Sequence, residues 1–467
     1  MQYQKIIFLL SVAFLLYFSG VAAARFDVWP ASMLLKKIEE AQGYLQAKQD
    51  QQIQSQLLSY DVEHEIASAR AIWQQGKAFD GYTLITARYS QTVFLLDMDG
   101  KVVWHWDAAF RRAWPNPSHI VRPVPDRRIY LEKAALYPNG DILVTYTGIG
   151  DTPYGYGLAK FDKHSNLLWT YDERVHHDIF IDQESGNIYT LTHQFIRSPI
   201  HGLEGLSYPL LADYIVTLTP DGKEINRISI LEAFRDSPFS LMLFRKPKNQ
   251  ALWDITHTNA VIKLDEELAE KFPLFKAGDL MISSRSMNAI AVIDPVSKSV
   301  RWANDGLWKA QHSPKFTQSG GILLLDNKGH IENNKPYSRI IEINPNNLHI
   351  KWSYLGNARN NFYTDVYGRV QQLPNGNVLV AASQMNKIFE LSPNKEIVWE
   401  FTLPLSSPHQ QRINVRKNSN HIKCFDICPD EFSDVGYQFQ GLIIDAARYS
   451  KEELSFMKQA QPEKASP

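Results

Sequence analysis

Residues 93–104 read VFLLDMDGKVVW: an apolar run, an Asp-Met-Asp-Gly turn and a second short run closing on tryptophan. Two β-prone runs around a glycine-bearing turn are the sequence form of a β-hairpin. The phrase returns in LAKFDKHSNLLW (158–169), IVTLTPDGKEIN (215–226), AIAVIDPVSKSVRW (289–302), IIEINPNNLHIKW (340–352) and IFELSPNKEIVW (388–399). Only the third of these six copies lacks the tryptophan, ending on Asn226. Most copies follow a second hairpin: YPNGDILVTY, DQESGNIYTL, FKAGDLMISS, TQSGGILLLD or LPNGNVLVAA. Two hairpins per unit make four strands, and six units predict a ring of four-stranded blades over residues 80–450. A β-sandwich uses similar strands but gives no reason for six Trp-terminated repeats. The expected fold class is all-β, a six-bladed β-propeller with a short N-terminal helical segment.

Composition agrees with that reading. The chain has 467 residues, 44% of them hydrophobic, and its 11 Trp, 21 Tyr and 23 Phe suit strands better than helices. A net charge of −1 leaves no global field for nucleic acid or an anionic membrane, so any preference for anions must be local. There is no GxxxxGK[ST] and no convincing GxGxxG, so no nucleotide cofactor is expected.

Residues 1–24 read as a targeting segment: Lys5, an apolar run from Ile6 to about Phe18, then small residues to Ala24. Residues 6–24 suit either a cleaved signal peptide or an uncleaved inner-membrane anchor, and both deliver the chain across a membrane. Residues 25–79 carry helical spacing at Leu34, Leu35, Ile38 and Leu45, then Ile66, Ala69 and Trp73, which predicts a helical linker or an appendage packed on the body. Residues 451–467 read as a tail. Cys424 and Cys428 suit either a disulfide in an exported compartment or two free thiols. The sequence leaves the oligomeric state open.

In a propeller, the first strand of each blade lines the central channel, and here it should precede each turn-bearing hairpin. Three such segments open on histidine: VHHDIFIDQESG with His176 and His177, ITHTNAVIKLD with His257, and AQHSPKFTQSGG with His312. Asn259 lies two residues beyond His257, which in an extended strand puts both on one face. Arg285 of SSRSMNAI ends a neighbouring strand and is expected at the same mouth. Three imidazoles suit zinc, but a guanidinium beside a dication is repelled, so no metal is expected. Imidazole, carboxamide and guanidinium together are donors for an oxyanion. The segment DVYGRVQQLPNG offers Tyr367 or Gly368 where its neighbours carry histidine, and Glu132 is an odd group to aim at an anion. Phe362, Tyr363 and Tyr367 are candidates for a phenol-binding wall.

The constellation HHD…HTN…SSR…QH…LLLDN resembles the bacterial arylsulfate sulfotransferases that use no nucleotide sulfate donor, over about residues 81–401. The resemblance implies sulfuryl transfer from an aryl sulfate donor to a phenolic acceptor through a sulfohistidine, in the periplasm. It places the nucleophile on His312, the paired His and Asn on His257 and Asn259, the arginine on Arg285, and the first histidine on His177 in preference to His176. Catalysis then falls to His312, His257 and Arg285, and substrate binding to Asn259 and the His176–His177 segment. The alternative is a non-catalytic, membrane-anchored periplasmic propeller that binds an anionic ligand or a protein partner.

Overall fold

The computed structural model describes residues 62–459, apart from 121–122, 150, 152, 246–252, 333–334, 357–361 and 404–441. The targeting segment, the helical pattern before residue 62, and Cys424 and Cys428 lie outside the described residues. None of the described helices is long and apolar enough to cross a membrane.

The strands form six antiparallel sheets, one per blade. Their innermost strands are Ile443–Tyr449 (blade one), Ile129–Leu136 (two), Val175–Ile181 (three), Thr258–Lys263 (four), His312–Phe316 (five) and Arg369–Gln372 (six). Blade one is completed from the far end of the chain: Ile443–Tyr449 pairs with Tyr82–Ala87, Tyr449 opposite Tyr82. The other end of the domain closes blade six, where Ala71–Trp73 adds a fifth strand outside Ile397–Thr402, Trp73 opposite Trp399. This corrects the expectation of helix through residue 79. The helix covers Val62–Ser68, after which Ala-Ile-Trp satisfies the open hydrogen-bonding edge of blade six. Beyond the last blade, a short helix at Ser455–Gln459 follows buried Leu454, and Phe456 packs 5.3 Å and 6.0 Å from the rings of Trp104 and Trp106.

The repeated tryptophan has a structural reason. In four of the five copies it reaches, from the second strand of its hairpin, the last turn of the next blade. Trp104 donates to Lys163 O at 3.2 Å, Trp352 to Pro393 O at 3.2 Å, and Trp399 to Met98 O at 2.8 Å. Trp169 instead packs so closely on Gly222 that a Cβ there would lie 2.6 Å from its ring. Trp399 is fully buried and the other three partly so, three of the four satisfy their indole N–H, and all four tie blade to blade.

Two features shape the channel. Its floor is a buried charge network to which every blade contributes. Lys133 (blade two) lies 3.2 Å from Asp445 (one) and 3.7 Å from Asp178 (three). Arg369 (six) pairs with Asp445 and, at 3.2 Å, with Asp178. Blade four gives Asp178 the N–H of Val261 at 3.1 Å, and Lys315 of blade five faces the same carboxylate. Burial pulls the Lys315 ammonium down to about 8, while the three cations hold the Asp178 carboxyl at about 2 against the upward push of burial.

Above the floor, the innermost strands of blades one to five each carry a β-bulge. Extra residues left without a partner include Ile444, Glu132, His177, Asn259 and Ser313. A bulge re-aims the side chain it carries. These five residues all line one cavity in the channel.

Candidate functional site

His312 opens the innermost strand of blade five and is 6% exposed. Its Nδ1 lies 3.0 Å from Ala310 O and 2.8 Å from Asn327 Oδ1, both acceptors, so this nitrogen carries the proton. Asn327 cannot present its amide instead, because Nδ2 donates to Thr364 O at 2.8 Å and Tyr367 O at 2.9 Å. Nε2 therefore keeps its lone pair. Burial first, then the Arg285 charge, push the imidazole down to about 3, so it is neutral in any ordinary buffer.

His257 does not sit in regular strand. It precedes Thr258–Lys263 with φ of 41°, in the left-handed region, and Asn259 is the bulged residue. Strand alternation therefore does not govern this pair: Asn259 lines the cavity through a bulge, and His257 is turned by its left-handed backbone towards Asp254 and His177. His257 Nδ1 is 2.5 Å from Asp254 Oδ2, and its ring centroid is 5.2 Å from that of His177. Asn259 donates to Gln311 O at 2.9 Å and keeps Oδ1 without a partner. Arg285 donates its backbone N–H to His257 O at 3.2 Å, and burial lowers its pKa despite facing Asp365 and Asp254. Its charge in turn depresses both His312 and His177.

The two adjacent histidines of HHD separate. His177, with φ of 59°, reaches the cavity, while His176 is fully buried away from it, its Nε2 3.6 Å from Asp213 Oδ1. Of the two alternatives offered by the HHD segment, His177 is the one that lines the cavity, because the bulge lets neighbouring residues leave the strand in different directions. Glu132 does face the cavity, but its Oε2 accepts from His177 N at 3.0 Å and Thr147 Oγ1 at 2.6 Å. Phe362 belongs to the core, 1% exposed, whereas Tyr367 lines the cavity and shares a 2.9 Å hydrogen bond with Tyr130.

The cavity runs from His177, Asn259 and His312 down to Arg369 and Asp445 of the floor. His257 and Arg285 are not among its lining residues; they approach through the flanking contacts described above. Three groups carried no assigned role in the sequence reading: Asp254 behind His257, Asn327 behind His312, and Tyr154. Tyr154 packs edge-on against His176, His177 and His193 at 5.6, 5.4 and 4.6 Å. Asn327 lies inside the quoted LLLDN segment, fifteen residues after His312, and Asp254 immediately precedes the quoted ITHTNAVIKLD segment, three residues before His257. Chemically, the site offers an unprotonated imidazole nitrogen, a second imidazole oriented by a carboxylate, and a half-buried guanidinium.

Among solved structures, the chain is similar to a protein of unknown function from Bacteroides caccae, with 13% identity over 69% of this chain and 93% of that one, TM-score 0.43. It is also similar to an inactive virginiamycin B lyase from Staphylococcus aureus with quinupristin (11%, 73% and 90%, TM-score 0.39). A third is the WD40 β-propeller domain of Doa1 (12%, 73% and 98%, TM-score 0.32). No curated protein matches the chain. The family model described as arylsulfotransferase (ASST) matches residues 133–403, which include His177, His257, Asn259, Arg285 and His312. The chain belongs to the arylsulfotransferase family.

Proposed function

We propose that this family member moves a sulfuryl group from an aryl sulfate ester to a phenolic or other hydroxyl acceptor, by two in-line displacements through a sulfohistidine at His312. The observation that carries the reading is the Nδ1–H of His312 held by Ala310 O and Asn327 Oδ1, which leaves Nε2 as an uncharged nucleophile. An anionic nucleophile would be repelled by the ester oxygens; a neutral imidazole is not.

In the first step the Nε2–S bond forms as the S–O bond to the aryl group breaks. His257, held at Nδ1 by Asp254, gives its other proton to the leaving oxygen. In the second step the acceptor oxygen attacks sulfur, the N–S bond breaks, and the acceptor proton passes to His257. Arg285, the remaining N–H of Asn259 and His177 supply donors for the sulfuryl oxygens that are not transferred. The targeting segment would deliver the enzyme to the periplasm, cleaved or still anchored, which fractionation of tagged protein tests.

Purified protein incubated with p-nitrophenyl sulfate and phenol should release yellow nitrophenolate, and mass spectrometry of the quenched enzyme should find the sulfuryl group on His312. His312→Ala should remain folded and lose transfer by at least about a thousandfold. Near wild-type transfer by that variant would remove the nucleophile. A protein that binds sulfate but forms no adduct with a panel of aryl sulfates would favour the non-catalytic alternative.

A further inference from the structure

Behind His177 lies a cluster that the reaction above does not use. His176, His193 and Asp213 come from three adjacent strands of blade three and are 0, 2 and 0% exposed. One potential ligand atom from each falls within 4.8 Å of the others. His176 Nε2, His193 Nδ1 and Asp213 Oδ1 have no hydrogen-bond partner, although buried polar atoms normally do. The remaining polar atoms of these side chains are engaged. Asp213 Oδ2 accepts from Thr256 Oγ1 and Thr258 N, both at 2.7 Å, and His176 Nδ1 is 2.7 Å from His177 Nδ1. His193 Nε2 accepts from Gly155 N at 3.3 Å. That last bond argues against a cation: it places the proton of neutral His193 on Nδ1, leaving no lone pair there for a metal.

A proton fits the cluster better. Two imidazole nitrogens 2.7 Å apart hold one proton between them, so the tautomers of His176 and His177 are tied. We infer that Asp213, acting through His176, decides which ring nitrogen of His177 carries its proton, so that a sulfuryl group entering the cavity draws a proton from solvent into the buried carboxylate. The inference rests on the reading of His177 as a donor to sulfuryl oxygen.

With Asp213 ionised, His176 points Nε2–H at Asp213 and accepts the Nδ1–H of His177, whose Nε2, 3.7 Å from Glu132 Oε1 at the cavity wall, is then a bare lone pair. Such a lone pair repels a sulfuryl oxygen. When a proton arrives at His177 Nε2, the proton on His177 Nδ1 moves to His176 Nδ1, and the one on His176 Nε2 moves to Asp213 Oδ1. Asp213 becomes neutral and His177 becomes a donor; no other bond changes. The 3.6 Å between His176 Nε2 and Asp213 Oδ1 must close by roughly half an ångström for the last transfer.

The surroundings fit. Burial first, then the Asp254 charge, raise the Asp213 carboxyl to about 6. Asp213 is faced by His176 and His193 from its own blade, by Asp254 and His257 from the approach to blade four, and by Tyr154 from blade two. His177 is faced by Glu132, His257, His312, Arg285 and Asp178, and His193 also by Arg174.

Inorganic sulfate, titrated calorimetrically in buffers of different ionisation enthalpy, tests this without any transfer step. At about pH 7.5 binding should take up about one proton, and at about pH 5 close to none; above about pH 6 affinity should fall about tenfold per pH unit. In Asp213→Asn the carboxamide N–H faces His176 Nε2 and fixes His177 as the donor, so uptake and the pH slope should vanish. His176→Phe, which spares the Thr256 and Thr258 bonds to Asp213, should also abolish uptake. Sulfate binding without uptake in the wild type overturns the relay and leaves the anion site standing, as does uptake that survives Asp213→Asn. Sulfate that fails to bind overturns the anion site and the relay together. One equivalent of zinc in the purified protein overturns the relay by assigning the cluster to a metal.

Discussion

Asn327 turns its carbonyl oxygen to His312 Nδ1 at 2.8 Å because its amide is spent on the backbone of Thr364 and Tyr367. The carboxamide cannot flip without losing two buried bonds, so the tautomer of His312 is set from behind. Asn327→Leu leaves Ala310 O to hold the Nδ1 proton and should lower kcat about tenfold by weakening that hold. It should also cost about 2 kcal/mol by taking the buried amide donor from Tyr367 O and from Thr364 O, the latter keeping Ser338 Oγ. Steady-state kinetics beside chemical denaturation measures both; an unchanged kcat would show that the lock is dispensable.

Asp254 orients His257 as Asn327 orients His312, but for proton transfer and not for attack. Asp254→Asn should therefore penalise poor leaving groups more than good ones. Transfer from phenyl sulfate should fall about a hundredfold or more, and release from p-nitrophenyl sulfate by much less. A series of substituted aryl sulfates reads this as a steeper dependence of rate on leaving-group pKa. Equal losses across the series would mean that Asp254 only supports the fold.

Acid should weaken the fold through its buried histidines. Burial holds His176, His177 and His193 well below the usual imidazole range of 6.5 and His312 at about 3. An unfolded chain takes up these protons near pH 6.5 and the folded one does not, so stability falls as pH drops below that value. Each such histidine contributes about 1.4 kcal/mol per pH unit, and Asp213, raised to about 6, opposes with one proton of its own. The melting temperature should drop clearly between about pH 7 and pH 5. A flat profile over that interval would contradict neutral burial of the histidines.

The channel floor should be intolerant of losing one cation. Arg369→Met leaves Asp178 and Asp445 with only lysines nearby and should cost about 3 kcal/mol, read by denaturant unfolding. Adding Asp445→Asn to that variant should recover part of the loss, because the uncompensated charge is then gone. Full additivity of the two costs would mean that the residues do not act as a unit.

The ring was legible because the hairpin recurs six times and five copies end on a tryptophan, four of which reach the next blade's turn. The third copy, with Asn226, shows that one brace can be missing without breaking the pattern. His257 and His312 could be collected because each stands at the start of the innermost strand of its repeat, and Asn259 and Arg285 because they neighbour His257 within the fourth repeat. The choice between His176 and His177 could not be made from periodicity. Strand alternation assumes regular pleating, and at VHHD the chain leaves it through a bulge and a left-handed residue. Bulges carry no fixed residue code, so their recurrence in five blades was invisible in the string. The strands at Ala71–Trp73 and Ile443–Tyr449 were missed for a different reason: each finds its partner only when the two ends of the domain meet.

The salt-bridged floor has a kinetic consequence. Among the described residues, Arg369 and Asp445 wall the cavity on the floor side, which leaves the histidine side as the way in. On the proposed chemistry, the spent phenol must back out the way it came before the next alcohol can approach the loaded imidazole. Reaction partners then queue instead of forming a ternary complex, and the released phenol competes directly with the incoming acceptor.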